Sequence, residues 1–316
     1  MPDPLPLLAV PNVSEGRDRA TLDAIERACT AGGIARLLDR HSDADHHRAV
    51  LTLLGAPGSL AQALVQGAAE AVRSIDVGEV EEADREIHAR DGGGGAEDVH
   101  RGQHPHVGAL DVAPIVYLDP DARGAACAEA LVVADRIGAE LGVPVFLYGE
   151  LGGGRTRAEL RRGGRAGLAE RMRTGEQRPD FGPSTLHPTA GATLVAAREP
   201  LVAFNVELAP PATIDRARRI ASLIREGGPE GLRGVRAIGV TLTRAPGPPV
   251  AQVSMNVERP LELPLRAVVE AIQRHAQVAA AEVVGLAPRT ALIGFPAEVP
   301  MPTFDPERQV IENALG

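Results

Sequence analysis

Histidines give the first indication of chemistry in this sequence. Six of the nine fall in two short stretches, which contain His41, His46 and His47, and then His100, His104 and His106. Because the charge of a histidine changes near neutral pH, such clusters suggest a general base, a proton relay or a metal site. The first stretch fits no closed zinc spacing, so we expect no metal. Surface histidines and local bonds to the backbone are the alternatives.

The neighbours of His104 favour catalysis over these alternatives. Pro105 biases the backbone of His104 toward an extended conformation, and Gly108 permits a close approach between the backbone and a ligand. We therefore expect the second histidine stretch to lie at a reacting site.

The segment 182–191 has the composition of a tightly turned loop. Its residues are Gly182, Pro183, Ser184, Thr185, Leu186, His187, Pro188, Thr189, Ala190 and Gly191. Glycine, proline, serine and threonine at this density predict a rigid loop with free backbone donors. A ligand-binding loop and an interdomain linker would share this composition, so both interpretations stay open at this point.

Arginine supplies every permanently cationic side chain, because the sequence contains no lysine. This absence excludes a Schiff-base lysine and a P-loop of the GxxxxGK type. Seven arginines against two glutamates lie at 155–173. A solvated helix face is the ordinary explanation of this arginine-rich segment. The functional explanation is a binding site for a carboxylate-rich substrate.

Composition argues against several classes of function. A net charge of −9 disfavours a general nucleic-acid binder, and 2% aromatic residues without tryptophan disfavour a stacking platform for bases. No apolar run approaches the roughly 20 residues that span a bilayer, so no membrane association is expected. The start of the chain shows no signal peptide. Cys29 and Cys127 are expected to be buried, unpaired thiols, which fits a cytoplasmic location.

Hydrophobic periodicity predicts two halves of similar α+β architecture, at 1–182 and 183–316. In the first half, strands are predicted at 7–10, 34–39, 49–54, 112–118 and 145–148, with helices after 16 and at 60–72, 122–141 and near 155–173. In the second half, the pattern predicts a hairpin of 192–197 with 201–208, strands at 235–243 and 250–257, and helices at 213–226 and from Pro264. The element order is broadly β-α-β-β-α-β.

Alternation along two strands of the second half places Asn205, Gln252 and Asn256 on polar faces. Such a face is either exposed to solvent or lines a cleft. The pattern alone favours neither interpretation.

A series of ordered motifs runs along nearly the whole chain. The series consists of VPNVSEG at 10–16, LD at 38–39, Arg48, HRGQHP at 100–105, GALDV at 108–112, VPVFLYGE at 143–150, PDFGPS at 179–184, AFN at 203–205, AQVS at 251–254 and VVGLAP at 283–288. In this order the motifs resemble the glutamate formimidoyltransferase family.

The resemblance implies an α+β protein of two ferredoxin-like subdomains with a ligand groove between them. The family moves a formimidoyl group from N-formimidoyl-L-glutamate to N5 of tetrahydrofolate. His104 matches the catalytic histidine, and the segment 182–191 matches the folate-binding loop. Further cleft candidates are Asn12, Ser14, Asp39, His41, Arg48, His100, Asp111, Asn205, Gln252 and Asn256. We also expect a homodimer, small-molecule substrates, no metal and no cyclodeaminase domain.

Several positions depart from the family pattern. His106 stands where arginine is usual, Gln103 where glutamate is common, and His41 where some members have aspartate. The insertion between Asp76 and His100 contains four consecutive glycines at 92–95, which favours a mobile flap. Three alternatives therefore stay open: an enzyme acting on 5-formyltetrahydrofolate, a non-catalytic folate-binding protein and a metal-dependent hydrolase.

Overall fold

The computed structural model describes residues 5–44, 46–78, 106–242 and 247–316. The chain forms two compact units, the first ending at Arg198 and the second beginning at Glu199. This division lies later than the boundary expected at 182–183, because residues 193–198 form a strand of the first sheet. His100 and His104 lie outside the described residues, and so does the predicted flap from 79 onward.

The first unit is built on a mixed sheet of seven strands in these ranges. The strands are β1 (Leu7–Ala9), β2 (Asn12–Val13), β3 (Arg36–Asp43), β4 (Arg48–Gly55), β5 (Leu110–Tyr117), β6 (Val145–Leu147) and β7 (Thr193–Arg198). Both β1 and β2 lie between β4 and β5 and pair antiparallel with each. β3 extends the sheet beyond β4, while β7 and β6 extend it beyond β5 in parallel pairing.

Helices of the first unit follow the predicted spacing of apolar residues. They are α1 (Arg19–Thr30), α2 (Leu60–Ser74), α3 (Arg123–Leu141), α4 (Arg157–Arg161) and α5 (Gly164–Thr174), with short 3-10 turns at Ala31–Gly33 and Pro120–Ala122. α1 buries the predicted face of Leu22, Ile25 and Cys29. The arginine-rich segment forms two helices instead of one, because Gly163 and Gly164 both have a positive φ.

The second unit has a four-stranded antiparallel sheet in the order β11-β8-β10-β9. Its elements are β8 (Val202–Leu208), α6 (Ile214–Ile224), β9 (Val235–Leu242), β10 (Val250–Val257), α7 (Leu265–Gln273) and β11 (Val278–Val284), followed by a 3-10 turn (Arg289–Leu292), α8 (Pro306–Gln309) and α9 (Ile311–Leu315). Residues 202–284 therefore run β-α-β-β-α-β. Both units are α+β.

The predicted hairpin of 192–197 with 201–208 is wrong. β7 pairs in parallel with β5 and β6, and β8 belongs to the sheet of the second unit. The side chains of β7 are buried from Thr193 to Ala197, which is typical of a central parallel strand covered on both faces. The turn at Glu199-Pro200 thus joins the two units.

The two cysteines are free thiols. Cys29 is buried as expected, and burial raises the pKa of its thiol to about 12. Cys127 is only half-buried, so the expectation holds for Cys29 and in part for Cys127. No helix in the described ranges is both long and apolar enough to cross a membrane.

Glu129 on α3 caps the N-terminus of α2 from a neighbouring helix. Its buried carboxylate accepts hydrogen bonds from Gly58 N and Ala61 N, each at 2.6 Å. Glu129→Ala would leave two backbone donors without this acceptor, so we expect the free energy of unfolding to fall by about 3 kcal/mol. Urea denaturation measures the change. Glu140→Ala, which alters an exposed residue on the same helix, is the control, and equal midpoints for the two variants would contradict the capping role.

Candidate functional site

Asp111 on β5 is the centre of a buried cluster of charged side chains in the first unit. Its Oδ1 accepts a hydrogen bond from Val107 N at 2.9 Å, and its Oδ2 accepts one from Arg161. Arg48 Nη1 lies 3.6 Å from the same Oδ2. Burial alone would raise the pKa of Asp111, but the positive charges of Arg161 and Arg48 outweigh it and hold that pKa below its usual value. Asp111 is therefore an anion at neutral pH.

Arg48 at the start of β4 connects Asp111 to β2. Its Nε and Nη2 donate to Asn12 Oδ1 at 2.8 and 2.5 Å, and Asn12 Nδ2 donates to Val10 O at 2.9 Å. Burial lowers the pKa of Arg48 to about 9, against the opposing effect of Asp111. The guanidinium therefore stays charged at neutral pH. Asn12, Arg48 and Asp111, all expected at the site, are brought together by three strands.

Tyr148, Arg157 and Arg161 lie beside this pair, although none of them was among the expected site residues. Tyr148 directly follows β6, and the Arg157 guanidinium lies 5.7 Å from the centre of its ring. The Arg48 guanidinium is within electrostatic range of all three side chains. Tyr148 and Arg161 are only 6% and 7% exposed. We call these three side chains, with Arg48 and Asp111, the Asp111 cluster.

Three buried polar atoms at or next to the Asp111 cluster lack a hydrogen-bond partner among the described residues. They are Tyr148 Oη, Arg161 Nε and His106 Nε2. His106 belongs to this neighbourhood, because it interacts electrostatically with Asp111. A buried polar atom without a partner costs about 1–3 kcal/mol, so such atoms are uncommon unless a ligand or water serves them.

Most arginines of the arginine-rich segment are engaged locally. Arg155 pairs with Asp180 at 2.6 Å, Arg162 with Glu176 at 2.7 Å and Arg173 with Glu170 at 2.6 Å, while Arg171 donates to Leu160 O at 2.7 Å. The segment therefore does not form one continuous binding surface for a carboxylate-rich substrate. Arg157 and Arg161 are its members in the Asp111 cluster, and the unusual density of arginine was the signal in the sequence that pointed to them.

The loop 182–191 is tied to the backbone that follows His106. Ala109 N donates to Ala190 O at 2.9 Å, and Ala192 N donates to Val107 O at 3.0 Å. Within the loop, His187 Nδ1 accepts a hydrogen bond from Ala190 N at 3.0 Å. Pro183, Ser184, Thr185 and Pro188 are exposed. Backbone hydrogen bonds therefore hold the end of the loop near Gly191, and the residues before it lie at the surface.

Gly108 is approached closely by the backbone of Ala190 and Ala192. A ligand was expected in that place. A Cβ at this position would lie 1.9 Å from Ala192 O and 2.9 Å from Ala190 O. Ser14 Oγ donates to Gly108 O at 2.8 Å and holds the same segment from the other side. Gly191, opposite Gly108, has a φ of 69°, and a Cβ there would lie 2.1 Å from Val107 O. Glycine at both positions is thus required by loop packing.

Gly108→Ala should destabilise the fold by about 3 kcal/mol or more, because the new methyl group meets backbone that cannot rotate away. Thermal and urea denaturation measure this loss. Gly124→Ala is the matched control, since open space surrounds Gly124 on α3 and alanine is the better helix former. An alanine at 108 that leaves the midpoint unchanged would contradict the observed packing.

The first histidine stretch is partly explained by local structure. His47 Nδ1 accepts a hydrogen bond from Gly16 N at 3.1 Å, and His46 Nε2 lies 3.8 Å from Asp43 Oδ2. Asp39 and His41 lie on β3, opposite Thr52 and Val50 of β4.

Asn205, Gln252 and Asn256 lie in the second unit, on β8 and β10. Asn205 and Gln252 are 5% and 1% exposed, whereas Asn256 is half-buried. Asn205 Nδ2 donates to Glu282 Oε2 at 3.0 Å. The solvent-exposed interpretation therefore fails for Asn205 and Gln252.

Family models match both units. The model described as the formiminotransferase domain, N-terminal subdomain, matches residues 7–92 and 98–198, and that of the formiminotransferase domain matches 203–297. The chain belongs to the formiminotransferase family. This finding confirms the resemblance carried by the ordered motifs.

Relatives within the formiminotransferase family extend over nearly the whole chain. The glutamate formimidoyltransferase of Streptococcus pyogenes serotype M1 is 37% identical over 317 residues, which cover 97% of each protein. That of Thermoplasma acidophilum is 32% identical and covers 90% of this chain and 88% of its own. The formimidoyltransferase-cyclodeaminase of Sus scrofa is 36% identical over 90% of this chain, which spans 50% of that longer protein.

Proposed function

We propose that this protein transfers the formimidoyl group of N-formimidoyl-L-glutamate to N5 of tetrahydrofolate. The observation that carries the proposal is the 37% identity, over 97% of both chains, to a protein named glutamate formimidoyltransferase. Tetrahydrofolate is then the acceptor substrate. No step of this reaction requires a metal.

The transfer is an addition followed by an elimination. N5 attacks the amidine carbon, so a new N5–C bond forms and a tetrahedral intermediate results. The bond from that carbon to the glutamate nitrogen then breaks, after one proton has left N5 and one has reached the departing nitrogen. We assign both proton transfers to His104, because a histidine with a pKa near the working pH can act as base and then as acid.

We assign folate binding to the loop 182–191. The hydroxyls of Ser184 and Thr185 are exposed there, and the ties from the loop to Val107 and Ala109 connect it to the chain just after His104. A ligand held by this loop would therefore lie near the start of the β5 segment. This assignment rests on the family resemblance and on these backbone ties.

We further propose that both units are ferredoxin-like halves. The β-α-β-β-α-β order of residues 202–284 supports this for the second unit. In the first unit the same order is met up to β5, with β1 and β2 counted as one strand, and β6 and β7 are an extension. The groove, the homodimer and the cytoplasmic location stay predictions.

An absorbance assay of 5-formimidoyltetrahydrofolate formation tests the proposed function across a panel of donors. We expect turnover with N-formimidoyl-L-glutamate and none with N-formyl-L-glutamate. Consumption of 5-formyltetrahydrofolate in its place would support the alternative one-carbon enzyme. Folate binding without turnover of any donor would support the non-catalytic alternative.

A further inference from the structure

We infer that Tyr148, Arg157 and Arg161 form a carboxylate-binding site in the first unit, with Arg48 and Asp111 as its support. The inference rests on the proposed function for the source of the carboxylate, which is a glutamyl substrate. It assigns to these side chains a role in holding a part of the substrate that does not react.

The unpartnered atoms of the site indicate an acceptor-only ligand. Tyr148 Oη can donate one hydrogen bond, and Arg161 Nε can only donate. Both residues are more than nine-tenths buried, and neither atom has a partner among the described residues. A carboxylate offers two oxygens with about four acceptor positions, so one carboxylate can serve both donors.

Charge at the site favours an anion over a neutral ligand. Three guanidiniums carry positive charge here: those of Arg48 and Arg161 act on Asp111, and that of Arg157 acts on Arg48. Asp111 accepts from Arg161 Nη2, while Arg161 Nε has no acceptor among the described residues. A guanidinium has five N–H donors, so its bond to Asp111 leaves donors for a second anion.

Asp111 positions Arg161 for this role. The buried ion pair fixes the guanidinium at the end of α4, a helix of only five residues. Arg157, one turn earlier on α4, lies over the ring of Tyr148, so one short helix carries both arginines and places one of them on the ring. A rigid set of donors lowers the entropic cost of holding a ligand.

Two parts of the reactants carry a glutamyl carboxylate, the donor and the glutamate tail of folate. Titration of N-formimidoyl-L-glutamate and of p-aminobenzoyl-L-glutamate by calorimetry distinguishes the two sources. The probe that binds at this site should bind the Tyr148→Phe variant more weakly, and the affinity of the other probe should not change.

Tyr148→Phe is the decisive variant because it removes one hydroxyl and keeps the ring. The Kd of the bound probe should rise about tenfold or more, which is the size expected for a hydrogen bond to a charged group. In the transfer assay KM for the same substrate should rise with kcat nearly unchanged, because the contact is equal in the ground and transition states. The thermal midpoint should stay the same or rise, since the lost hydroxyl was buried without a partner.

Tyr117→Phe is the matched control, since Tyr117 is the other tyrosine of the chain and lies at the far end of β5. Arg157→Gln, on a half-buried residue, provides a second variant with the same expected loss of affinity. If transfer proceeds but neither variant changes Kd or KM for either probe, the site is wrong and the proposed function stands. If no transfer occurs but a probe binds in a Tyr148-dependent manner, the site stands and the proposed function fails.

Discussion

His104→Ala should lower kcat by about two to four orders of magnitude, the usual contribution of a positioned general acid–base group. Tetrahydrofolate should bind with nearly unchanged affinity, because the variant removes the proposed proton shuttle and leaves the proposed folate-binding loop 182–191 intact. Stopped-flow absorbance measures the rate of product formation, and calorimetry measures the folate Kd.

His275→Ala is the control for the His104 variant. His275 pairs with Glu230 at 2.9 Å in the second unit and has no assigned part in the reaction. Its removal should leave kcat unchanged. Equal kcat for His104→Ala and the unaltered protein would remove His104 from the mechanism.

Asp111→Asn should lower the free energy of unfolding by about 3–5 kcal/mol, the usual cost of removing one partner from a buried ion pair. Asparagine keeps the shape of the side chain but leaves the Arg161 and Arg48 guanidiniums without their shared anion. Urea denaturation at neutral pH measures the loss. Asp215→Asn, which alters a surface pair with Arg218, should cost less than about 1 kcal/mol and is the control.

The effect of Asp111→Asn should also depend on pH. Because the folded protein lowers the pKa of Asp111, its carboxylate contributes stability that is fully present above the unfolded pKa of about 3.9. That contribution is lost as pH falls through the lower folded pKa. The difference in unfolding free energy between the two proteins should therefore be constant near neutral pH and shrink in acid. A difference that grows in acid would contradict the charge assignment.

Local patterns predicted much of the fold. The alternation of 250–257 gave the full length of β10, and the spacing of Ala217, Ile220, Ala221 and Ile224 gave the buried face of α6. Residues 192–197 were also predicted as a strand, close to the observed β7, but with the wrong partner. Their pairing with β5 joins positions about 80 residues apart, and a nearby proline-containing turn favoured the local hairpin instead.

The sequence predicted only those site residues that lie in the family motifs. Asn12, Ser14, Arg48 and Asp111 were expected from the family resemblance. In the structure Arg48 lies beside Asp111, Asn12 accepts from Arg48, and Ser14 donates to Gly108 O. Tyr148 and Arg161 were missed because their meeting depends on tertiary structure. Tyr148 lies in the motif at 143–150 and Arg161 in the arginine-rich segment, but neither signal distinguishes the residue at the site from its neighbours.

The central claim is the transfer itself, and carbon tracing tests it most directly. N-formimidoyl-L-glutamate labelled with ¹³C at the formimidoyl carbon is mixed with the protein and tetrahydrofolate and followed by NMR. We predict that the label moves to N5 of tetrahydrofolate as an equal amount of L-glutamate is released. Label that stays on glutamate, or that appears as formamide without entering the folate, would contradict the account.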